Sequence, residues 1–150
     1  MRDLTIGEAA RASGVRVNTI RFYEARGLLP EAPRSDGGRR LFDTAAVARL
    51  RFVRHARDLG FGLEAIGELL DLQGSDNADC AAADSIARRQ CADVERRIAH
   101  LQALRDELLR MTEACSGGPV HACRVIESLA DHSLCAVDHA RLPERSLSPQ

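Results

Sequence analysis

Cys80, Cys91, Cys115, Cys123 and Cys135 carry most of the chemistry open to this chain. They are odd in number and no export signal precedes them. That combination points to thiols kept reduced, in the cytoplasm, and used as thiols. Cys115 is followed by Ser116-Gly117-Gly118-Pro119-Val120-His121-Ala122-Cys123, a loop able to curl around an ion and present Cys123 beside Cys115. If the chain from Asp79 to Cys115 is one helix, a rise of about 1.5 Å per residue sets Cys80 roughly 52 Å from Cys115, too far to meet within one chain. The two nevertheless fall on one helix face, because positions 80, 87, 94, 101, 108 and 115 repeat every seven residues. In an antiparallel two-fold pairing of such helices, Cys80 of one protomer comes beside Cys115 of its partner, and symmetry supplies that junction twice. Three thiolates suit a soft or borderline ion, Cd(II), Pb(II), Hg(II) or Zn(II). His121 adds an imidazole that zinc accepts as a fourth ligand. The competing reading of Cys80 is a small buried hydrophobe. Cys91, mid-helix with no second thiol or imidazole near it in sequence, is expected to pack. His132, Cys135 and His139 have helical spacing and form a candidate second metal site in a weakly patterned terminus. His55 and His100 lack neighbours at ligand spacing and read as surface or packing residues.

The elements that must hold these groups follow from local signals. Thr5 and Glu8 form a capping box that opens a helix, and Ser13-Gly14 breaks it after about two turns. Val17 to Arg26 reads as a second short helix stopped by Gly27, and two such helices around a glycine turn make a helix-turn-helix. Ser35-Asp36-Gly37-Gly38 are hairpin-turn residues leading into a short strand over 39–42, so Arg34, Arg39 and Arg40 flank a wing of the kind that lies along DNA. Asp43 or Thr44 caps a helix to about Leu59, with Val47, Leu50, Phe52, Val53 and Leu59 for burial. Gly60-Phe61-Gly62 interrupts, and Leu63 to Leu72 forms a fourth helix with Ile66, Leu69 and Leu70 inward. A linker over 73–77 precedes the long helix from Asp79 to about Cys115, which contains no Pro or Gly. Its seam of Cys80, Ala87, Val94, Leu101, Leu108 and Cys115, widened by Ile98, Leu104 and Met111, is a coiled-coil pattern that one helix cannot bury. A second copy of the chain is the simplest partner. Arg124 to Ala130 reads as a two-turn helix that closes the thiol loop.

Charge separates the chain into two parts. The formal net charge is −1, and the sequence contains arginine but no lysine. Residues 1–60 hold twelve Arg against seven acids, and residues 61–150 nine Arg against fifteen. The basic portion coincides with the helix-turn-helix and wing, where planar guanidinium groups can engage phosphate or guanine in bidentate fashion. The arginines beyond residue 60 read as solvated helix faces. No apolar run approaches the roughly 20 residues of a membrane span.

Three stretches resemble the MerR family of metal-responsive bacterial transcriptional regulators. They are Thr5-Ile6-Gly7-Glu8-Ala9-Ala10, Thr19 to Leu29 (containing Ile20-Arg21-Phe22-Tyr23-Glu24), and the wing Arg34 to Phe42. The similarity continues through Arg54 to Phe61 and the long helix to Cys123-Arg124-Val125-Ile126. The resemblance implies a mainly α fold, a winged helix-turn-helix DNA-binding domain plus a long antiparallel coiled-coil dimerisation helix. Residues 1–73 would form the DNA-binding domain, 79–116 the dimerisation helix, 115–131 the metal-binding loop and short helix, and 132–150 a flexible tail. It further implies a homodimer that binds a palindromic operator within a promoter and, on binding metal, distorts the DNA so that RNA polymerase can start transcription. By position, Asn18, Thr19, Arg21 and Tyr23 would serve the recognition helix, Arg34, Arg39 and Arg40 the wing, and Arg57 a phosphate. Arg39 stands where relatives usually carry an aromatic. The metal ligands would be Cys80 of a second copy with Cys115, Cys123 and His121. In this family a Cys at the start of the dimerisation helix marks sensors of divalent ions, whereas Ser marks those of Cu(I), Ag(I) and Au(I). Cys115 followed by Ser116 favours Cd(II) or Pb(II), with Hg(II) and Zn(II) behind.

Other function classes find less support. An iron–sulfur redox sensor needs a tighter cysteine cluster than Cys115 and Cys123. A drug-responsive regulator needs a further domain that residues 124–150 are too few to form. A cysteine-nucleophile enzyme needs an acidic orienter for His121, and none is evident.

Overall fold

The structure, a computed structural model, describes residues 3–115 and 117–135. Ser116, His139 and the remainder of the expected tail beyond 135 lie outside the described residues. Two compact units divide inside the long helix, after Gln90.

In the first unit, β1 (Leu4–Thr5) leads into α1 (Ile6–Ser13), followed by α2 (Val17–Ala25), β2 (Leu41–Phe42), α3 (Thr44–Asp58) and α4 (Leu63–Gln73). The capping box is present: the Thr5 hydroxyl accepts from the Glu8 amide, and the Glu8 carboxylate accepts from the Thr5 amide at 2.8 Å. Gly14 ends α1 with φ +73°, a left-handed conformation that disfavours a side chain. Asp43, whose carboxylate accepts from the Ala46 amide, caps α3. The wing turn closes where the Gly38 amide donates to Ser35 and the Ser35 amide to Arg39. An Arg34–Arg40 bridge extends it. The pairing of β2 differs from expectation. It is antiparallel with β1, with Leu4 opposite Phe42 and Thr5 opposite Leu41, so the base of the wing is tied to the residue that caps α1.

Phe42, Ile20, Leu50, Ile66 and Val53 are the largest fully buried side chains of this unit. At roughly 1.5–3 kcal/mol for each such residue removed from water, they supply much of its driving force. Leu59, expected inside, is 58% exposed because it occupies the C-cap position after the last turn of α3. Leu69 is half-buried. The first turns of α5 (Cys80–Glu113) pack here through buried Ile86, with Gln90 donating to the Leu59 carbonyl and Arg89 paired with Glu68.

The second unit contains the rest of α5, a 3-10 turn over Val120–Ala122, α6 (Arg124–Ala130) and a second 3-10 turn over His132–Leu134. The long helix ends at Glu113, two residues before the expected Cys115; Gly117 and Gly118, at φ +78° and +101°, turn the chain away. Met111 departs from the seam and is buried within its own chain, as are Ser128 and Glu107. The buried Glu107 carboxylate is matched by Arg110, which also donates to the Leu134 carbonyl. Val94, Ile98, Leu101 and Leu108 remain exposed along α5, Leu101 by 63%. Arg88, Arg96 and Arg97 pair with acids one turn away, as solvated helix faces do. Among the described residues no helix is long and apolar enough to cross a membrane.

Candidate nucleic-acid interface and metal centre

The outward face of α2 carries Asn18 and Arg21, both exposed, with Thr19 half-buried beside them. Arg39 is exposed on the wing. Between α2 and the wing runs a groove of about 670 Å³ whose lining includes Arg21, Glu24, Arg34, Arg39 and Arg40. With Glu24 and Glu31 as its acids against four arginines, the cleft is basic on balance.

Several residues expected on DNA have other duties. Tyr23 is only 7% exposed and belongs to the core, its ring 6.0 Å from that of Phe22. Burial raises its hydroxyl pKa, partly offset by the charge of Arg57. Its ring therefore packs inward from the amphipathic α2. Arg40 is engaged with Glu24 at 2.8 Å. Arg34 braces the wing by donating to the Gly38 carbonyl, and Arg57 donates to the Phe61 carbonyl in the turn before α4.

A further set of arginines was not singled out by sequence reasoning. Arg51 donates twice to the Ala12 carbonyl, Arg54 to that of Ser13, and Arg49 to that of Leu28 at 2.6 Å. Each satisfies a carbonyl left over where a helix or turn ends. The usable signal was an arginine-rich α3 facing a helix that ends at glycine.

The thiols are dispersed unevenly. Cys115 and Cys123 are brought together, near enough for Cys115 to help lower the Cys123 thiol. Cys123 is the N-cap of α6, and the amides of Ile126 and then Val125 hold its thiol below the usual range, against the opposing effect of partial burial. A thiolate there is a ready soft-metal donor. His121 lies exposed on the intervening 3-10 turn. Cys80 opens α5 and is exposed. Cys91, expected to pack, is exposed instead and donates to the Glu95 carboxylate one turn on. Of the second candidate site, whose His139 lies outside the described residues, His132 lies in a 3-10 turn and not an α-helix, and Cys135 is near Glu107 and Arg110. Burial and then the Glu107 carboxylate raise the Cys135 thiol. Within a single chain, no group of three or more Cys, His, Asp or Glu side chains converges to hold an ion among the described residues.

Comparison with known proteins adds an independent line. A family model described as MerR HTH family regulatory protein matches residues 4–73, and one described as MerR, DNA binding, matches residues 47–111. The chain is 38% identical over 128 residues to the HTH-type transcriptional regulator ZntR of Escherichia coli K12, covering 83% of this chain and 90% of that protein. It is 41% identical over 131 residues to the mercuric resistance operon regulatory protein of Serratia marcescens, covering 86% and 89%. The structure resembles that of the transcription regulator PbrR691 from Ralstonia metallidurans CH34 in complex with lead(II). The TM-score is 0.75 and the identity 33%, covering 84% of this chain and 98% of that one.

Proposed function

Because the chain belongs to the MerR family of helix-turn-helix regulatory proteins, we propose that it senses a divalent heavy-metal ion and switches a promoter in response. It is a DNA-binding, metal-responsive transcriptional regulator and not an enzyme. The finer reading is a cytoplasmic homodimer that binds a palindromic operator and, when metal is bound, distorts the DNA so that RNA polymerase engages both promoter elements.

The observation that carries the metal reading is the Cys115–Cys123 pair, with backbone amides directed at the Cys123 sulfur. Two thiolates need a third donor, and Cys80 of a second copy is the candidate, delivered by antiparallel pairing of α5 along its exposed apolar seam. Three thiolates favour a soft or borderline divalent ion. Cd(II) and Pb(II) are the preferred inducers, with Hg(II) and Zn(II) next; similarity to regulators described with mercury and lead(II) supports this class. A Cys in place of Ser at position 80 argues against a Cu(I) sensor. His121 is a fourth donor for zinc alone. The DNA reading assigns base contacts to Asn18, Thr19 and Arg21, and backbone contacts to Arg39, Arg34 and Arg57.

Ligation displaces protons from the thiols, so ion affinity falls as pH falls. Competitive titration of the purified protein, followed by promoter transcription with each ion, tests the proposal. Activation by Cd(II) or Pb(II) at the lowest free concentration is expected. Ion binding that survives Cys80→Ser/Cys115→Ser/Cys123→Ser would refute the site.

A further inference from the structure

A charge pair joins the wing to the recognition helix. Arg40 Nη1 lies 2.8 Å from Glu24 Oε2, and the Glu24 side chain is only 6% exposed. The other carboxylate oxygen, Oε1, is buried and has no hydrogen-bond partner. Glu24 lies in the last turn of α2. Arg40 closes the bridge with Arg34, and the next residue, Leu41, pairs with Thr5. Both members of the pair line the groove between α2 and the wing, together with Arg21 and Arg39.

Such a pair is a poor device for stability. A buried carboxylate with an unused oxygen bears an uncompensated desolvation cost, and buried ion pairs are often replaceable by apolar residues without loss. What the pair does fix is geometry, since one end is anchored on the helix and the other on the wing strand. It also removes the charge of Arg40 from the surplus available to phosphates.

We infer that Glu24 and Arg40 are positioning residues for DNA recognition. Their ion pair sets the spacing between α2 and the wing, so that Arg21 and Arg39 reach one duplex together. Arg40 itself holds no phosphate. The inference rests on the DNA-binding reading above and deepens it.

The test is a double-mutant cycle on the full chain with Glu24→Gln, Arg40→Gln and the double variant. Each binds a duplex selected by the native protein from a random-sequence library, and a scrambled duplex of equal length, across a salt series. Each single variant is expected to lower the selected-over-scrambled affinity ratio about tenfold, and the double variant to lose no more than the worse single. The slope of log affinity against log salt in the double variant should match that of the native protein, because a mutually neutralising pair has been removed. Arg40 as a direct phosphate contact predicts otherwise: Arg40→Gln and the double variant would each flatten that slope by about one unit, with both duplexes weakened together. That result, or additive losses, overturns the inference alone. A native chain that binds no duplex overturns the DNA-binding reading as well. Thermal melts accompany each variant. If Arg40→Gln does not fold, Glu24→Gln decides, since native selectivity in that folded, isosteric variant overturns the inference.

Discussion

Cys115 lies near enough to Cys123 to help lower its thiol pKa, and Gly117 and Gly118 between them both take positive φ. The pair is assembled by backbone geometry: α5 stops at Glu113, the glycines reverse the chain, and α6 starts with Cys123 as its N-cap. The amides of Ile126 and Val125 then favour the Cys123 thiolate.

Thiol reactivity should follow these environments. The Cys123 pKa is lowered and that of Cys135 is raised. Near pH 8 iodoacetamide should therefore label Cys123 several-fold faster than Cys135, as read by peptide mass spectrometry. The linkage has a definite sign. A depressed folded pKa means that the thiolate of Cys123 adds stability above the ordinary thiol pKa of about 8.5, and that this is lost as pH falls through the lower folded value. Equal labelling rates would contradict the described loop.

Gly14→Ala tests the end of α1. An alanine would be held at φ +73°, and its Cβ would meet the Arg54 guanidinium. The guanidinium is the end of a flexible side chain and can withdraw, giving up its bond to the Ser13 carbonyl. Backbone strain therefore dominates, at about 1–2 kcal/mol. Urea unfolding should show a loss of that size, and an unchanged midpoint would be inconsistent with the left-handed turn.

Thr5→Ala removes half of the capping box while leaving the β1–β2 backbone pairing in place. A loss of about 1 kcal/mol is expected, within the range of N-cap substitutions. Thr5→Ser should restore most of it. A loss that Ser fails to restore would move the effect from the cap to the packing of the Thr5 methyl group.

The apolar seam of α5 makes a separate demand. Leu101 is 63% exposed and Leu108 59% exposed, a stripe that costs free energy in water. If α5 pairs along this seam as proposed, Leu101→Glu would place a charge within the proposed interface and should leave the chain monomeric at micromolar concentration in sedimentation equilibrium, where the native chain sediments as a dimer. A variant that still sediments as a dimer would remove the seam from the interface.

Local signals made much of the fold readable. Thr5 with Glu8, Gly14, the Ser35–Gly38 turn, Asp43 and the span Arg124–Ala130 each act over a few residues, and the observed elements follow them. What was missed depends on partners distant in sequence. Arg51 meets the Ala12 carbonyl across 39 positions and Arg54 meets that of Ser13 across 41, so nothing local distinguishes them from solvated arginines. Arg40 reads as a free cation until Glu24 is found beside it. The ring of Tyr23 likewise packs in the core, a placement that helical phase in so short a helix left undecided. Met111 fits the heptad but is covered by its own chain, because residues after the glycine loop return to the end of α5. The Cys115–Cys123 pair was legible because the loop between them is short. The proposed third donor, Cys80 of a second copy, follows only from two-fold symmetry.

Mixed dimers test that consequence most directly. Chains carrying Cys80→Ser are co-refolded with chains carrying Cys115→Ser/Cys123→Ser, and the heterodimer is isolated by two different tags. Each homodimer lacks donors at both sites, whereas the heterodimer reunites one intact Cys80 with one intact Cys115–Cys123 pair. Titration with Cd(II) or Pb(II) should then find one tight ion per heterodimer, with an affinity matching that of the native site, and none of that affinity in either homodimer. A heterodimer that binds no more tightly than the homodimers would contradict a metal site shared between two protomers.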